Sequence, residues 1–132
     1  MKKFFILAKI VLLTSTILQA QNSSWQWANP LPQGNLLNAV ASVNAETLIT
    51  VGDVGTILRT TNAGLVWEVQ QSAAGSDNQL FGVQFISPTT GWAVGEFGTI
   101  LKTTNAGESW FEQQIQTFYD LYAIYFISPT VG

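Results

Sequence analysis

Between Leu80 and Gln114 the apolar positions fall into four short runs, each closed by turn-forming residues. Leu80-Phe-Gly-Val-Gln-Phe-Ile86 is rich in aromatic and branched side chains, and Ser87-Pro-Thr-Thr-Gly91 ends it. Trp92-Ala-Val-Gly95 is the second run, followed by Glu96-Phe-Gly98 as a turn. Thr99-Ile-Leu-Lys-Thr-Thr104 is the third, Asn105-Ala-Gly107 turns the chain, and Ser109-Trp-Phe-Glu-Gln-Gln114 is the fourth. Short β-branched and aromatic runs bounded by Gly, Pro and Asn predict strands. A helical pair needs runs of ten or so residues without such breakers, and the chain offers none.

The same succession occurs twice. Gly55-Thr-Ile-Leu-Arg-Thr-Thr-Asn-Ala-Gly-Leu-Val-Trp67 returns 43 residues later as Gly98-Thr-Ile-Leu-Lys-Thr-Thr-Asn-Ala-Gly-Glu-Ser-Trp110, with ten of thirteen positions identical. The offset also carries Leu37 onto Leu80, Val40 onto Val83, and Val51-Gly52 onto Val94-Gly95. A third copy starts at Leu121, since Phe126-Ile-Ser-Pro-Thr130 repeats Phe85-Ile-Ser-Pro-Thr89. Ahead of the first copy, Trp25 or Trp27 stands where a preceding Trp is expected. A period in the low forties with four strands per unit predicts the blades of an all-β propeller. The expected organisation is repeat 1 over about 37–79, repeat 2 over about 80–120 and the start of repeat 3 over 121–132. Two blades and the first strand of a third do not close a ring, so the chain reads as a fragment, with its remaining blades expected in the same polypeptide. An open piece of this kind is expected to be marginal and prone to associate, because repeats rely on neighbours for burial.

Residues 1–20 read differently. Lys2 and Lys3 precede an apolar run from Phe4 to Leu18, interrupted by Lys9 and Thr14-Ser15-Thr16, which ends in Leu18-Gln19-Ala20. The run is short of the roughly 20 residues that span a bilayer, and its flanks match a secretory signal peptide cut after Ala20. The mature chain, 21–132, is therefore expected outside the cytoplasm, secreted or periplasmic or at the cell surface, without stable membrane insertion. Cleavage leaves Arg59 and Lys102 against eight carboxylates, a net charge of −6. That excludes a run of phosphates as partner, and with it nucleic acid. There is no Cys, so no disulfide assists the fold.

Two octads carry a resemblance. Thr60-x-Asn62-x-Gly64-x-x-Trp67 and Thr103-x-Asn105-x-Gly107-x-Ser109-Trp110 resemble the Asp boxes, or BNR repeats, of the sialidase-like propeller superfamily. The longer unit is similar to the photosystem II stability and assembly factor family of β-propellers, over essentially all of residues 25–132. The resemblance implies a structural turn between third and fourth strands. In it Asn62 and Asn105 would accept backbone amides, Gly64 and Gly107 would take positive φ, and Trp67 and Trp110 would pack between blades. Asn stands where the pattern has Asp, and Val66 where it has Ser or Thr, which lowers any capacity for a cation.

The chemistry available is sparse. With no His and no Cys, the usual metal ligands, general base and thiol nucleophile are missing. A sialidase-type site needs an arginine cluster, and Arg59 stands alone at a position that Lys102 occupies in the next copy. Asp53 and Glu96 hold equivalent turn positions and would give an acidic face; as turn residues they are expected to be solvated. Gly52-x-x-Gly55 and Gly95-x-x-Gly98 lack the helix of a phosphate loop and read as hairpin turns. No catalytic, cofactor or metal residue is assigned. The reading is an exported, non-catalytic module that binds protein as an assembly scaffold. Its alternatives are the N-terminal part of a sialidase-like glycosidase with catalytic groups in further blades, or a structural module of a cell-surface protein.

Overall fold

The computed structural model describes residues 34–70, 77–128 and 130–132. The expected signal peptide, with its expected cut after Ala20, and Trp25 and Trp27 lie outside the described residues. Eight strands form among the described residues: β1 Leu37–Ser42, β2 Leu48–Gly52, β3 Ile57–Thr60, β4 Glu68–Gln70, β5 Leu80–Phe85, β6 Gly91–Gly95, β7 Ile100–Thr103 and β8 Phe111–Glu112. They make two four-stranded sheets, β1-β2-β3-β4 and β5-β6-β7-β8, each an antiparallel meander. The protein is all-β, and each sheet is a propeller blade. A register shift after the first residue of β1 recurs at the same place in β5, between Leu80 and Gly82. No helix among the described residues is long and apolar enough to cross a membrane.

Pleating explains why one sheet needs the other. Ile49 pairs with Arg59 and Val51 with Ile57, so these side chains share one face of the first blade. Ile49, Val51 and Ile57 are fully buried there against Leu80, Ala93, Leu101 and Trp110 of the second blade. Ala39, Val43, Val83 and Phe85 close the margins of this core. Thr50 and Leu58, on the other face, are also buried. The core is thus a seam between blades, and neither sheet contains it alone.

The outermost strand is shorter than expected. Of Ser109–Gln114, only Phe111–Glu112 is strand, with Trp110 as a bridge residue before it and Ser109 N–H taken up by Asn105 Oδ1 in the preceding turn. Pairing persists one residue further through Gln113 N–H to Ile100 O at 2.8 Å. The predicted strand at the start of the third repeat is also absent. Residues 121–126 run without a sheet partner, since the role β2 plays for β1 has no counterpart among the described residues. They are held by Tyr122 stacked on Phe81 (5.0 Å), Phe126 against Trp92 (4.5 Å) and Phe126 N–H donating to Gln84 Oε1 at 2.7 Å. The turn that follows does form. Ile127 N–H to Val131 O at 3.0 Å repeats Ile86 to Thr90 and Val43 to Thr47.

The β2–β3 turns store strain. Thr56 N–H reaches Asp53 O and Thr99 N–H reaches Glu96 O, and both central residues of each turn have positive φ. The first of each pair is Val54 (φ 54°) or Phe97 (φ 52°), side chains that resist this region. The twist of the flanking strands selects this turn all the same. Val54→Asn is expected to raise the unfolding free energy by about 1 kcal/mol, measured by urea denaturation, because Asn tolerates the conformation and Val54 is 56% exposed.

Candidate functional site

Each β3–β4 turn is organised around a threonine hydroxyl that the sequence pattern did not single out as central. In the second blade, buried Thr103 Oγ1 donates to Asn105 Oδ1 at 2.9 Å and accepts Asn105 N–H (3.3 Å) and Gly107 N–H (3.0 Å). Asn105 Oδ1 then accepts Ser109 N–H at 3.1 Å, and Asn105 Nδ2 donates to Ser109 Oγ at 2.9 Å. In the first blade Thr60 Oγ1 meets Asn62 Oδ1 (2.8 Å) and Gly64 N–H (3.0 Å), and Val66 N–H reaches Asn62 Oδ1 (2.8 Å). Val66 has no hydroxyl to take Ser109's part. The polar groups of the turn are consumed internally, which is the chemistry of a structural turn.

The turns also fix the tryptophans. Ala106 and Gly107 both have positive φ, as do Ala63 and Gly64. This tight curl presents Gly107 to the first blade, where a Cβ would collide with the Ile49 side chain. Trp110 is fully buried beside it, its Nε1–H on Gly107 O at 3.2 Å and its ring edge-on to Phe85 at 6.0 Å. Trp110 therefore lies in the seam. Trp67 does not: half-buried, it lines an open apolar groove of about 330 Å³ with Leu37, Val40, Leu48, Thr50 and Gly64. Moved on by 43 residues, these become Leu80, Val83, Gly91, Ala93, Gly107 and Trp110, the surface by which the second blade sits on the first.

Arg59 reaches across that seam. Its Nε–H donates to Ala106 O at 3.0 Å and its Nη2 lies 3.5 Å from Glu108 Oε1. Lys102, at the matching position, lies over the Trp92 ring at 5.2 Å. These cations serve blade packing and do not converge on a pocket.

Asp53 and Glu96 differ from the expectation of solvated turn residues. Both are half-buried, and Gln79 joins them. Asp53 Oδ1 accepts Gln79 Nε2–H and Asn38 Nδ2–H, while Glu96 Oε2 accepts Gln79 N–H at 3.0 Å. Main-chain bonds run alongside, Asp53 N–H to Leu36 O and Glu96 N–H to Gln79 O, both 2.9 Å. The carboxylates thus fasten the start of each blade to its own β2–β3 turn, and at Gln79 they fasten one blade to the next. The reason is proximity: Gly52 and Gly95 let the chain pass so close that a Cβ there would strike Leu36 O or Gln79 O. Among the described residues no three acidic, His or Cys side chains group as metal ligands. Gln79 was missed because its role depends on a neighbour 26 residues away, Asp53.

A family model described as photosynthesis system II assembly factor YCF48 matches residues 17–125. The chain belongs to this family. Among solved structures, one described as YCF48 bound to D1 peptide resembles it with a TM-score of 0.61 and 27% identity over 66% of the chain. The chain spans only 28% of that relative's length. No curated protein matches it. Both described blades carry the Thr–Asn turn and its tryptophan.

Two measurements probe this arrangement. Asn105→Ala is expected to cost about 1 kcal/mol, since it strips an acceptor from Ser109 N–H and Thr103 Oγ1, whereas Asn105→Asp keeps the acceptor and most of the stability. Trp110→Ala is expected to cost about 3–5 kcal/mol, and Trp67→Ala clearly less. Equilibrium denaturation of the four variants reads both differences.

Proposed function

We propose that the chain is an exported, non-catalytic propeller module that binds polypeptide as an assembly scaffold. The observation that carries this reading is membership of an assembly-factor family, together with likeness to a member whose structure is bound to a peptide. The residue chemistry supports it. Carboxylates, threonines and the arginine are spent on turns and seams, and the sequence provides neither His nor Cys to activate a nucleophile. The partner is a protein rather than a nucleic acid, because the mature chain carries two cations against eight carboxylates. Export rests on the basic and apolar character of residues 1–20.

Expression in a bacterium with fractionation and intact-mass measurement tests the location. The expected product lies outside the cytoplasm and begins at Gln21; a cytoplasmic product retaining Met1 overturns export. Immobilised protein is expected to retain a specific polypeptide from the exported fraction, released by excess free protein. Retention that free protein does not compete away argues against the scaffold.

A further inference from the structure

The tips of the β2–β3 turns carry a cost that the fold does not explain. Val54 and Phe97 hold equivalent positions, both with left-handed backbone (φ 54° and 52°), where a β-branched or aromatic side chain is disfavoured. Asn or Gly would serve the turn better. Packing does not ask for these side chains either, since Val54 is 56% and Phe97 63% exposed. Phe97 stays open with a preceding blade in place, and Val54 with a following one, so a neighbour on neither side covers this position. A strained backbone that holds an apolar side chain in water, in both blades, marks a surface kept for a partner.

The carboxylates around the tips define the partner, and hydrogen bonds fix where they lie. Asp53 and Glu96 directly precede the tips, and Gln79 bonds both, its Nε2–H on Asp53 Oδ1 and its N–H on Glu96 Oε2 at 3.0 Å. Gly55 N–H donates to Asn78 O at 3.0 Å, so the first tip lies against the segment that carries Gln79. Asp120 reaches the second tip directly: its Oδ1 accepts Phe97 N–H at 3.0 Å and its Oδ2 accepts the Tyr122 O–H at 3.3 Å. No basic side chain balances these carboxylates. Arg59 and Lys102 are the only basic residues of 21–132. Arg59 is bonded to Ala106 O in a β3–β4 turn, at the opposite end of the sheets, and Lys102 lies over Trp92.

We propose that Val54 and Phe97, with Asp53, Glu96 and Asp120 beside them, dock a basic polypeptide segment that carries apolar side chains next to its arginines or lysines. Charge complementarity selects this occupant, because uncompensated carboxylates draw cationic groups and repel anionic lipid. Apolar tips on successive blades ask for an extended chain with side chains of its own rather than for a small ion. Among the described residues no three acidic, His or Cys side chains group as metal ligands. Tyr122, stacked on Phe81 at 5.0 Å and bonded to Asp120, adds an aromatic surface suited to a guanidinium. The site deepens the scaffold reading and rests on it, by naming the face used and the chemistry of the partner.

Fluorescence anisotropy of the full chain with labelled peptides tests the site. One peptide alternates arginine with leucine, and a second has glutamate in place of each arginine. The arginine peptide is expected to bind at least about tenfold tighter. Val54→Asn with Phe97→Asn removes the apolar tips and relieves the backbone at once. This double variant is expected to lose about tenfold in affinity for the arginine peptide while its urea midpoint rises. A purely structural role for the two side chains predicts the reverse, a lower midpoint with affinity unchanged. Glu96→Gln with Asp120→Asn keeps the oxygens that accept Gln79 N–H and Phe97 N–H and removes both charges. It is expected to bring the two peptides within about threefold of each other. Equal binding of the two peptides by the unaltered chain, unchanged binding in either double variant, or preferential sedimentation with phosphatidylglycerol vesicles overturns the site and leaves the scaffold reading standing. Failure of the immobilised protein to retain a specific polypeptide overturns the scaffold reading itself.

Discussion

The structure depends on one packing event, the closure of a sheet face carrying Ile49, Val51 and Ile57 by a second face carrying Ala93, Leu101 and Trp110. A four-stranded meander of this length has no interior of its own. Its apolar side chains leave water chiefly when a neighbouring segment covers them, and this gives a repeat protein its one-dimensional energetics. Several polar side chains span that closure. Arg59 spans the seam to a backbone carbonyl, Gln79 ties Asp53 to Glu96 at the other end, and Asn38 Nδ2–H reaches Leu80 O at 2.9 Å between them.

The box turn converts local chemistry into this tertiary contact. A threonine hydroxyl gathers the amides of the turn and the asparagine oxygen takes the next amide along. The residues between are pushed into left-handed conformations. The curl is tight enough to bring a glycine against Ile49 and to drop the indole of Trp110 beside it. Ala106 N–H also bonds Thr89 O, as Ala63 N–H bonds Glu46 O, so the turn is braced against the β1–β2 end of its own blade. The turn acts on the seam through backbone geometry, and Ala106 O and Glu108 also meet Arg59 of the first blade.

Near-identical repeats make their differences informative. Where the scaffold needs a residue, the two blades agree: Thr60 and Thr103, Asn62 and Asn105, Gly64 and Gly107, Trp67 and Trp110. Where they disagree, the neighbours differ: Glu108 meets Arg59 of the first blade at 3.5 Å, whereas its counterpart Leu65 is exposed. A small mutual difference also sets the cations apart, since Arg59 has a blade to grip and Lys102 lies on its own Trp92.

Strand runs, turn sites and the repeat were legible in the chain because they are local. Period-two patterning, β-branched residues and Asn-Gly punctuation act within a few residues of themselves. The sequence by itself therefore determined an all-β architecture of four-stranded units and the residues that build each turn. Only the tertiary structure decided what these residues meet. It buried Trp110 while leaving Trp67 beside an open groove, and it turned Asp53 and Glu96 from solvated turn residues into fastenings around Gln79. It also left residues 121–126 without a sheet partner among the described residues, although their sequence reads as strand. The reason is common to all three. Burial and strand pairing belong to the neighbour that a residue acquires, and a neighbour 26 or 43 residues away is not written in the local pattern.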